Sequence, residues 1–318
     1  MKLVTFSNNN NLSIGAVKDD LVISFAQSSL PKNMIDFIEL GNNGLDTAND
    51  LIEKGEDKIE VSKVELCAPI PKPSKILAVG LNYKEHKDEV AETAAKTIGK
   101  SQEKYPNIFN KQNSSVVGPF DLIHRPRASE FLDYEGELGF VIGKKCRHVP
   151  YDSAANVIYG YTVVNDVTIR DWQMRGPPMT MTMGKSWDTH CPFGPYLVTS
   201  DEVGDPHNLK LETHVNGELR QSASTSDLIF DCFTLVEYLS TAFTLEPGDL
   251  IPTGTPAGVG MGMNPQMFLK KGDTITQDMI WSKRPGTGIP SFKMNKLIGK
   301  KIIKNIKKNS LLKKTDFN

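Results

Sequence analysis

Between Phe131 and Gly143 the sequence reads FLDYEGELGFVIG, with Asp133, Glu135 and Glu137 set two residues apart inside an apolar run. On an extended strand residues two apart share a face, so the three carboxylates are expected side by side. Two unit charges ~4 Å apart repel by roughly 4 kcal/mol at an effective dielectric near 20, and burial adds desolvation to that. A divalent cation removes the problem. A second apolar run, GYTVVNDVTIRD, ends in Asn165-Asp166, so Glu135, Glu137 and Asp166 are candidates to converge on one ion. All-oxygen ligation favours Mg²⁺ or Mn²⁺, with Ca²⁺ a third oxygen-seeking candidate, and three monodentate carboxylates leave three octahedral positions for substrate and water. The alternative is an exposed strand face on which these acids are merely solvated.

His86 and Glu89 form a second constellation, H-x-x-E. On a helix, residues three apart share a face, so the carboxylate can hold the imidazole in one tautomer and let it act as a general base toward water. Placement on a solvated surface is the alternative. Commoner motifs fail on inspection. GPPMTMTMGKS has Met179 where a P-loop requires glycine. PAGVGMGMN is glycine-rich but follows a Thr-Gly-Thr-Pro turn with no clear helix after it, which argues against a dinucleotide fingerprint. Neither G-x-S-x-G nor H-E-x-x-H occurs.

The elements that must carry these residues read as an α+β protein. Up to about Val64, short apolar segments (KLVTF, LSIGAV, LVISF) alternate with turns and are followed by helical patterns in MIDFIELGNN and ANDLIEKGED. Prolines at 69, 71 and 73 impose an extended linker. The expected organisation is a small N-terminal domain at 1–68, a linker at 69–75, a catalytic domain at 76–295 and a basic tail at 296–318. From Ile76 onward many β-like runs and few helices point to a rolled or sandwiched sheet rather than a βαβ array. Charge gives no sign of a nucleic-acid partner, because 37 basic and 38 acidic residues leave a net charge of −1. No signal-peptide-like start and no bilayer-length apolar run occur, so a cytoplasmic location without a membrane span is expected. The 4 cysteines lie far apart, without a Cys-x-x-Cys pair, and are expected to be reduced.

The segments GLNYKEHKDE, PNIFNKQNSS, LDYEGELGFVIG, GYTVVNDVTIRDWQ, GKSWDTHCPFGPYLVT, VNGELRQ and LEPGDLIPTGTPAGVG resemble, in order, the fumarylacetoacetate hydrolase family over roughly Ile76 to Asp273. The resemblance implies a mixed β-sandwich roll with a small N-terminal domain, and a homodimer. It implies a metal on Glu135, Glu137 and Asp166, with Asp133 beside the ligands or facing solvent. It implies that His86 and Glu89 are catalytic, that Lys185 in GKS is a cation near the metal, and that Arg170, Gln173 and Thr255 contact substrate. Arg170 suits a carboxylate because its fork donates two parallel hydrogen bonds; a surface ion pair with Asp171 is the plainer reading. For Thr255 the plainer reading is a turn-capping hydroxyl. Lys111 matches a family position without an assigned role. Lys84 to Lys104 resembles a lid that orders over substrate.

The implied activity is on a small 2-oxo acid or 1,3-dicarbonyl compound, with hydrolytic C–C cleavage first and isomerisation, decarboxylation or dehydration as alternatives on the same metal site. A folded but inactive relative with an interacting C-terminus is the competing class. After Thr274 the chain departs from the family pattern into LIGKKIIKNIKKNSLLKK, where Ile298, Ile302 and Ile306 fit either a basic amphipathic helix or a solvated tail.

Overall fold

The computed structural model describes residues 1–55, 57–94, 104–176 and 179–280. The expected tail at 296–318, the end of the expected catalytic section and residues 95–103 of the expected lid lie outside the described residues. The N-terminal section carries β1 (Lys2–Asn8), β2 (Asn11–Lys18), β3 (Leu21–Ser24), α1 (Met34–Glu39), α2 (Asn42–Lys54), β4 (Lys58–Glu60) and β5 (Glu65–Leu66). Next come β6 (Leu77–Gly80), α3 (Lys84–Ala94), β7 (Asn107–Asn110), β8 (Val116–Val117), β9 (Leu132–Asp133) and β10 (Gly136–Ile142). β11 (Ile158–Asn165), β12 (Thr168–Ile169), α4 (Arg170–Gln173), α5 (Met181–Lys185), β13 (Cys191–Pro192), β14 (Leu197–Thr199) and α6 (Ser200–Val203) follow. The described chain ends with β15 (Lys210–Val215), β16 (Glu218–Ser224), α7 (Cys232–Ala242), β17 (Leu250–Pro252) and β18 (Ile275–Ile280).

The main sheet runs β17-β10-β11-β14-β1-β2-β3-β4, with β5 also on β1. It crosses the expected boundary at 69–75, since β1 pairs antiparallel with β14 through Leu3 and Leu197. The hairpins that start it are legible locally. Asn9 and Asn10, then Asp19 and Asp20, take positive φ, which short polar side chains tolerate and which two-residue turns between twisted strands require.

β10 is buried at all seven positions because both faces of the sheet are covered. Leu138, Phe140 and Ile142 pack on one side with Leu235, Val236 and Leu239 of α7. Val141, two residues from Gly139 and four from Glu137, packs on the other side with Phe37 and Ile38 of α1. Each such fully buried side chain contributes about 1.5–3 kcal/mol, so the strand that leads to the acids is anchored from both sides. α7 starts on Asp231, whose side chain accepts from Thr234 N at 2.7 Å.

The expected single strand from Phe131 to Gly143 is two strands. β9 pairs with β12, whereas β10 pairs with β11 and β17. The break falls at Tyr134-Glu135, where the Glu135 amide donates to the side-chain carbonyl of Asn165 at 3.1 Å instead of to a neighbouring strand. Beyond Thr274, where the sequence predicts a departure from the family pattern, β18 pairs antiparallel with β15. All four cysteines are free. Among the described residues no helix is long and apolar enough to cross a membrane.

Candidate active site

Glu137 stands near the start of β10 and Glu135 in the break before it, while Asp166 follows the last residue of β11. β10 and β11 pair Gly136 opposite Asn165, which brings the two strand ends and their acids together. The Asp166 amide donates to the Glu135 carbonyl at 2.8 Å and closes the corner. One oxygen from each of Glu135, Glu137 and Asp166 lies within 4.8 Å of the others, and all three residues are buried. The solvated-face alternative therefore does not describe them.

Three buried cations meet this cluster. Lys185, at the end of α5, donates to Glu135 Oε2 at 2.5 Å and to Asp166 Oδ2 at 2.7 Å. Lys111, just after β7, donates to Asp166 Oδ1 at 2.6 Å and to the carbonyl of Lys185. Arg170 reaches Glu135 Oε1 through Nη1 at 2.6 Å and Asp133 Oδ2 through Nε at 2.8 Å. Asp171 is not its partner; that carboxylate accepts from Ser129 Oγ at 2.5 Å. Asp133 is fully buried, which removes the solvent-facing reading.

The electrostatics follow from these contacts. Burial works against ionising Glu135, but Lys185 and Arg170 overcome it and hold the carboxyl at about 2. Burial pushes Glu137 well above the carboxylate range, and Asp166 and Glu135 push it further. Among the described residues no cation lies within ion-pair distance of Glu137; its Oε2 accepts only the Gly254 amide, at 2.8 Å. Burial opposes the Lys185 charge, yet Asp166 and Glu135 raise it above the ordinary lysine value, so it stays an ammonium. Asp133, Glu135, Glu137 and Asp166 thus face Lys111, Arg170 and Lys185, four carboxyl groups to three cations, and Glu137 is the one left without an ion-pair partner.

A cavity opens on this network. Its polar lining includes His86, Glu135, Arg170, Gln173, Lys185 and Thr255, and its apolar lining includes Val79, Leu81, Met174, Met179, Met181 and Met261. Arg170 Nη2 is buried there without a hydrogen-bond partner. Gln173 Oε1 accepts from Arg170 Nη1 at 3.3 Å, and its amide nitrogen lies 3.2 Å from Met181 sulfur. The Thr255 hydroxyl donates to the Gly136 carbonyl at 3.0 Å and accepts from Gln221 Nε2 at 2.8 Å, so it braces the turn as well as lining the cavity. His86 is buried on α3, with Nδ1 2.9 Å from Glu89 Oε2.

The structure therefore gathers all nine residues singled out in the sequence. It adds Lys111, whose role the sequence left open, and the four methionines, whose scatter between residues 174 and 261 hid them.

Residues 75–294 match the model of the fumarylacetoacetate (FAA) hydrolase C-terminal domain, so the match continues past Thr274, where the sequence predicts a departure from the family. The chain belongs to the fumarylacetoacetate hydrolase family. Its mixed sheets and flanking helices are that family's α+β fold. A Xenopus laevis relative described as oxaloacetate tautomerase fahd2, mitochondrial, is 40% identical over 86% of each chain. The oxaloacetate tautomerase YisK of Bacillus subtilis is 41% identical over 86% of this chain and 95% of its own. A crystal structure of maleylpyruvate hydrolase from Sphingobium sp. SYK-6, in complex with manganese(II) ion and pyruvate, superposes with a TM-score of 0.72 at 30% identity, over 88% of this chain and 96% of that one. Membership in the fumarylacetoacetate hydrolase family makes this chain an enzyme of that family.

Proposed function

We propose that this chain catalyses keto–enol proton transfer in a small 2-oxo dicarboxylic acid of the oxaloacetate type, with Mg²⁺ or Mn²⁺ held by Glu135, Glu137 and Asp166. The observation that carries the reading is the meeting, around one cavity, of an unpartnered guanidinium nitrogen, a buried ammonium and a buried imidazole. The tautomerase descriptions of the relatives at 40% and 41% identity support it. The residues fit a divalent ion. All three donors are carboxylate oxygens within 4.8 Å of one another, and Glu137, the carboxyl left without a cation, is the one an added ion would hold in its charged form. When bound, the ion supplies Lewis-acid polarisation of the substrate carbonyl.

The protein's own groups supply binding and proton transfer. Arg170 is aimed by Asp133 and Glu135, and its free Nη2 donates to a substrate carboxylate. Two of the three Lys185 protons go to Glu135 and Asp166; the third is available to the oxygen that gains charge as the C–H proton leaves. With Nδ1 donating to Glu89, His86 keeps Nε2 as the acceptor. His86 removes the proton from the carbon beside the keto group, and the C–H electron pair becomes the C=C bond. The carbonyl pair moves to oxygen, which takes the proton back from the imidazolium.

The second reading is hydrolytic C–C cleavage. It is favoured by the His86–Glu89 pair, which suits water activation, and by the maleylpyruvate hydrolase likeness. The test is to follow the ultraviolet absorbance of enol-oxaloacetate with purified protein, Mg²⁺ or Mn²⁺, and to measure pyruvate release from maleylpyruvate in parallel. Interconversion faster than with the metal ion alone, abolished by EDTA, is expected. No acceleration would remove the tautomerase reading, and pyruvate release in its place would establish the hydrolase.

A further inference from the structure

The glycine-rich run PAGVGMGMN, residues 256–264, has no part in the chemistry above. Its backbone nevertheless lies on two carboxylates. The Gly258 amide donates to Glu89 Oε1 at 3.0 Å. The Gly260 and Met261 amides donate to Asp133 Oδ1 at 2.7 Å and Oδ2 at 3.0 Å. The alternating glycines are where the run touches its surroundings. A Cβ at 258 would strike the Arg220 carbonyl, one at 260 would strike the Met267 carbonyl and stand 2.7 Å from Asp133 Oδ1, and one at 262 would strike the Glu89 carboxylate. Met261, inside this strap, lines the cavity.

Asp133 is the hub of the arrangement. Besides the two strap amides it accepts from Tyr134 N at 3.0 Å and from Arg170 Nε at 2.8 Å. It is neither in the acid trio nor in the cavity wall. Four donors satisfy a buried carboxylate, and two of its obligations point to different parts of the site.

We propose that Asp133 is a positioning residue that fixes Arg170 at the angle offering Nη2 to substrate and locks the Gly258–Met263 strap, whose other end is bound to Glu89. The guanidinium that binds the substrate and the imidazole pair that moves its proton are thereby held in register. The roles of Arg170 and His86 rest on the function proposed above; the bonding of the strap does not.

The test uses full-length Asp133→Asn and Gly260→Ala, the second of which displaces the strap without altering a charged group. Asp133→Asn keeps the side chain's size but weakens the grip on Arg170. KM for oxaloacetate should rise about tenfold to a hundredfold, the loss of one charge-assisted hydrogen bond, with a smaller fall in kcat and unchanged Mn²⁺ affinity by calorimetry. A merely structural role predicts the opposite split, with kcat falling alongside the folded fraction and KM unchanged. Gly260→Ala should give the same KM rise, and carries the kinetic test if Asp133→Asn does not fold. Amide hydrogen exchange reads the strap without any turnover. Asp133→Asn should accelerate exchange at Gly260 and Met261, and also at Gly258, whose acceptor is Glu89. Unchanged KM in the folded variants, or unchanged exchange at Gly258 in Asp133→Asn, would overturn the proposal. A wild-type protein inactive on every 2-oxo acid would instead overturn the function and the substrate role of Arg170, while exchange alone still decides the strap.

Discussion

Replacing Glu137 with Gln should have opposite effects with and without metal. In the metal-free protein Glu137 lies within 4.8 Å of both Glu135 and Asp166. Each pair repels by about 3 kcal/mol at an effective dielectric near 20, and the attraction of Lys185 offsets roughly one of them. Protonation sets a ceiling. Burial, Asp166 and Glu135 raise the folded-state value well above the ordinary 4.5, so the folded state binds more protons and loses stability as pH rises from 4.5. At pH 7 the loss is at most ~1.4 kcal/mol per unit over about 2.5 units, or roughly 3 kcal/mol. Gln keeps an oxygen for the Gly254 amide and carries no charge. The EDTA-treated variant should therefore melt above wild type at pH 7, by up to roughly 5 °C, with the difference vanishing below pH ~4.5.

Added Mn²⁺ should reverse the order. If loss of the ligand weakens binding by about 1,000-fold, the metal-linked stabilisation falls by about 4.1 kcal/mol at saturating Mn²⁺, which exceeds the variant's metal-free advantage, and wild type becomes the more stable protein. The assay is thermal melting from pH 4.5 to 8 with EDTA and across a Mn²⁺ titration. A variant that melts below wild type without metal at pH 7, or an equal Mn²⁺-induced rise in both proteins, would refute the charge count and the ligand assignment together.

Arg170→Lys keeps the charge but loses the planar fork, so KM for oxaloacetate should rise about 10- to 100-fold with Mn²⁺ affinity retained; an unchanged KM would remove Arg170 from substrate binding. His86→Ala and Glu89→Gln should slow enzymatic tautomerisation by ~10²- to 10⁴-fold while leaving Mn²⁺ binding intact. Wild-type rates in both would take the pair out of the mechanism. His190 is buried, and that burial, assisted by Lys111 and only partly opposed by the His124 carbonyl, lowers its value from 6.5 to about 4. The unfolded chain then binds the extra proton between those values, so folding stability should fall by up to ~3 kcal/mol as pH drops through that window. His190→Gln should lack this component, and identical urea-unfolding pH profiles for the two proteins would refute it.

The opening sequence problem, several acids in one apolar run, was a true signal, but its resolution was only half legible. The repulsion among Glu135, Glu137 and Asp166 is a local consequence of strand periodicity and of two apolar runs ending in acids, so it could be read without a structure. What relieves it could not. Lys111, Arg170 and Lys185 reach the cluster across sequence separations that no spacing rule covers; the Lys111–Asp166 bond spans 55 residues. Three cations pair with three of the four acids, so the proposed metal would answer one unpartnered carboxyl, Glu137, rather than three. The strand expectation failed for a related reason. Asn165, from the neighbouring strand, takes the Glu135 amide and breaks the run, and Asp133, whose place two residues before Glu135 suggested a shared face, is turned instead to Arg170 and the glycine strap. The strap's glycines were equally visible and equally mute, because the groups that forbid a side chain there, at Glu89, Asp133, Arg220 and Met267, come from four other parts of the chain. Local patterns thus showed where charge or backbone was under constraint, and tertiary contacts determined which constraint each residue serves.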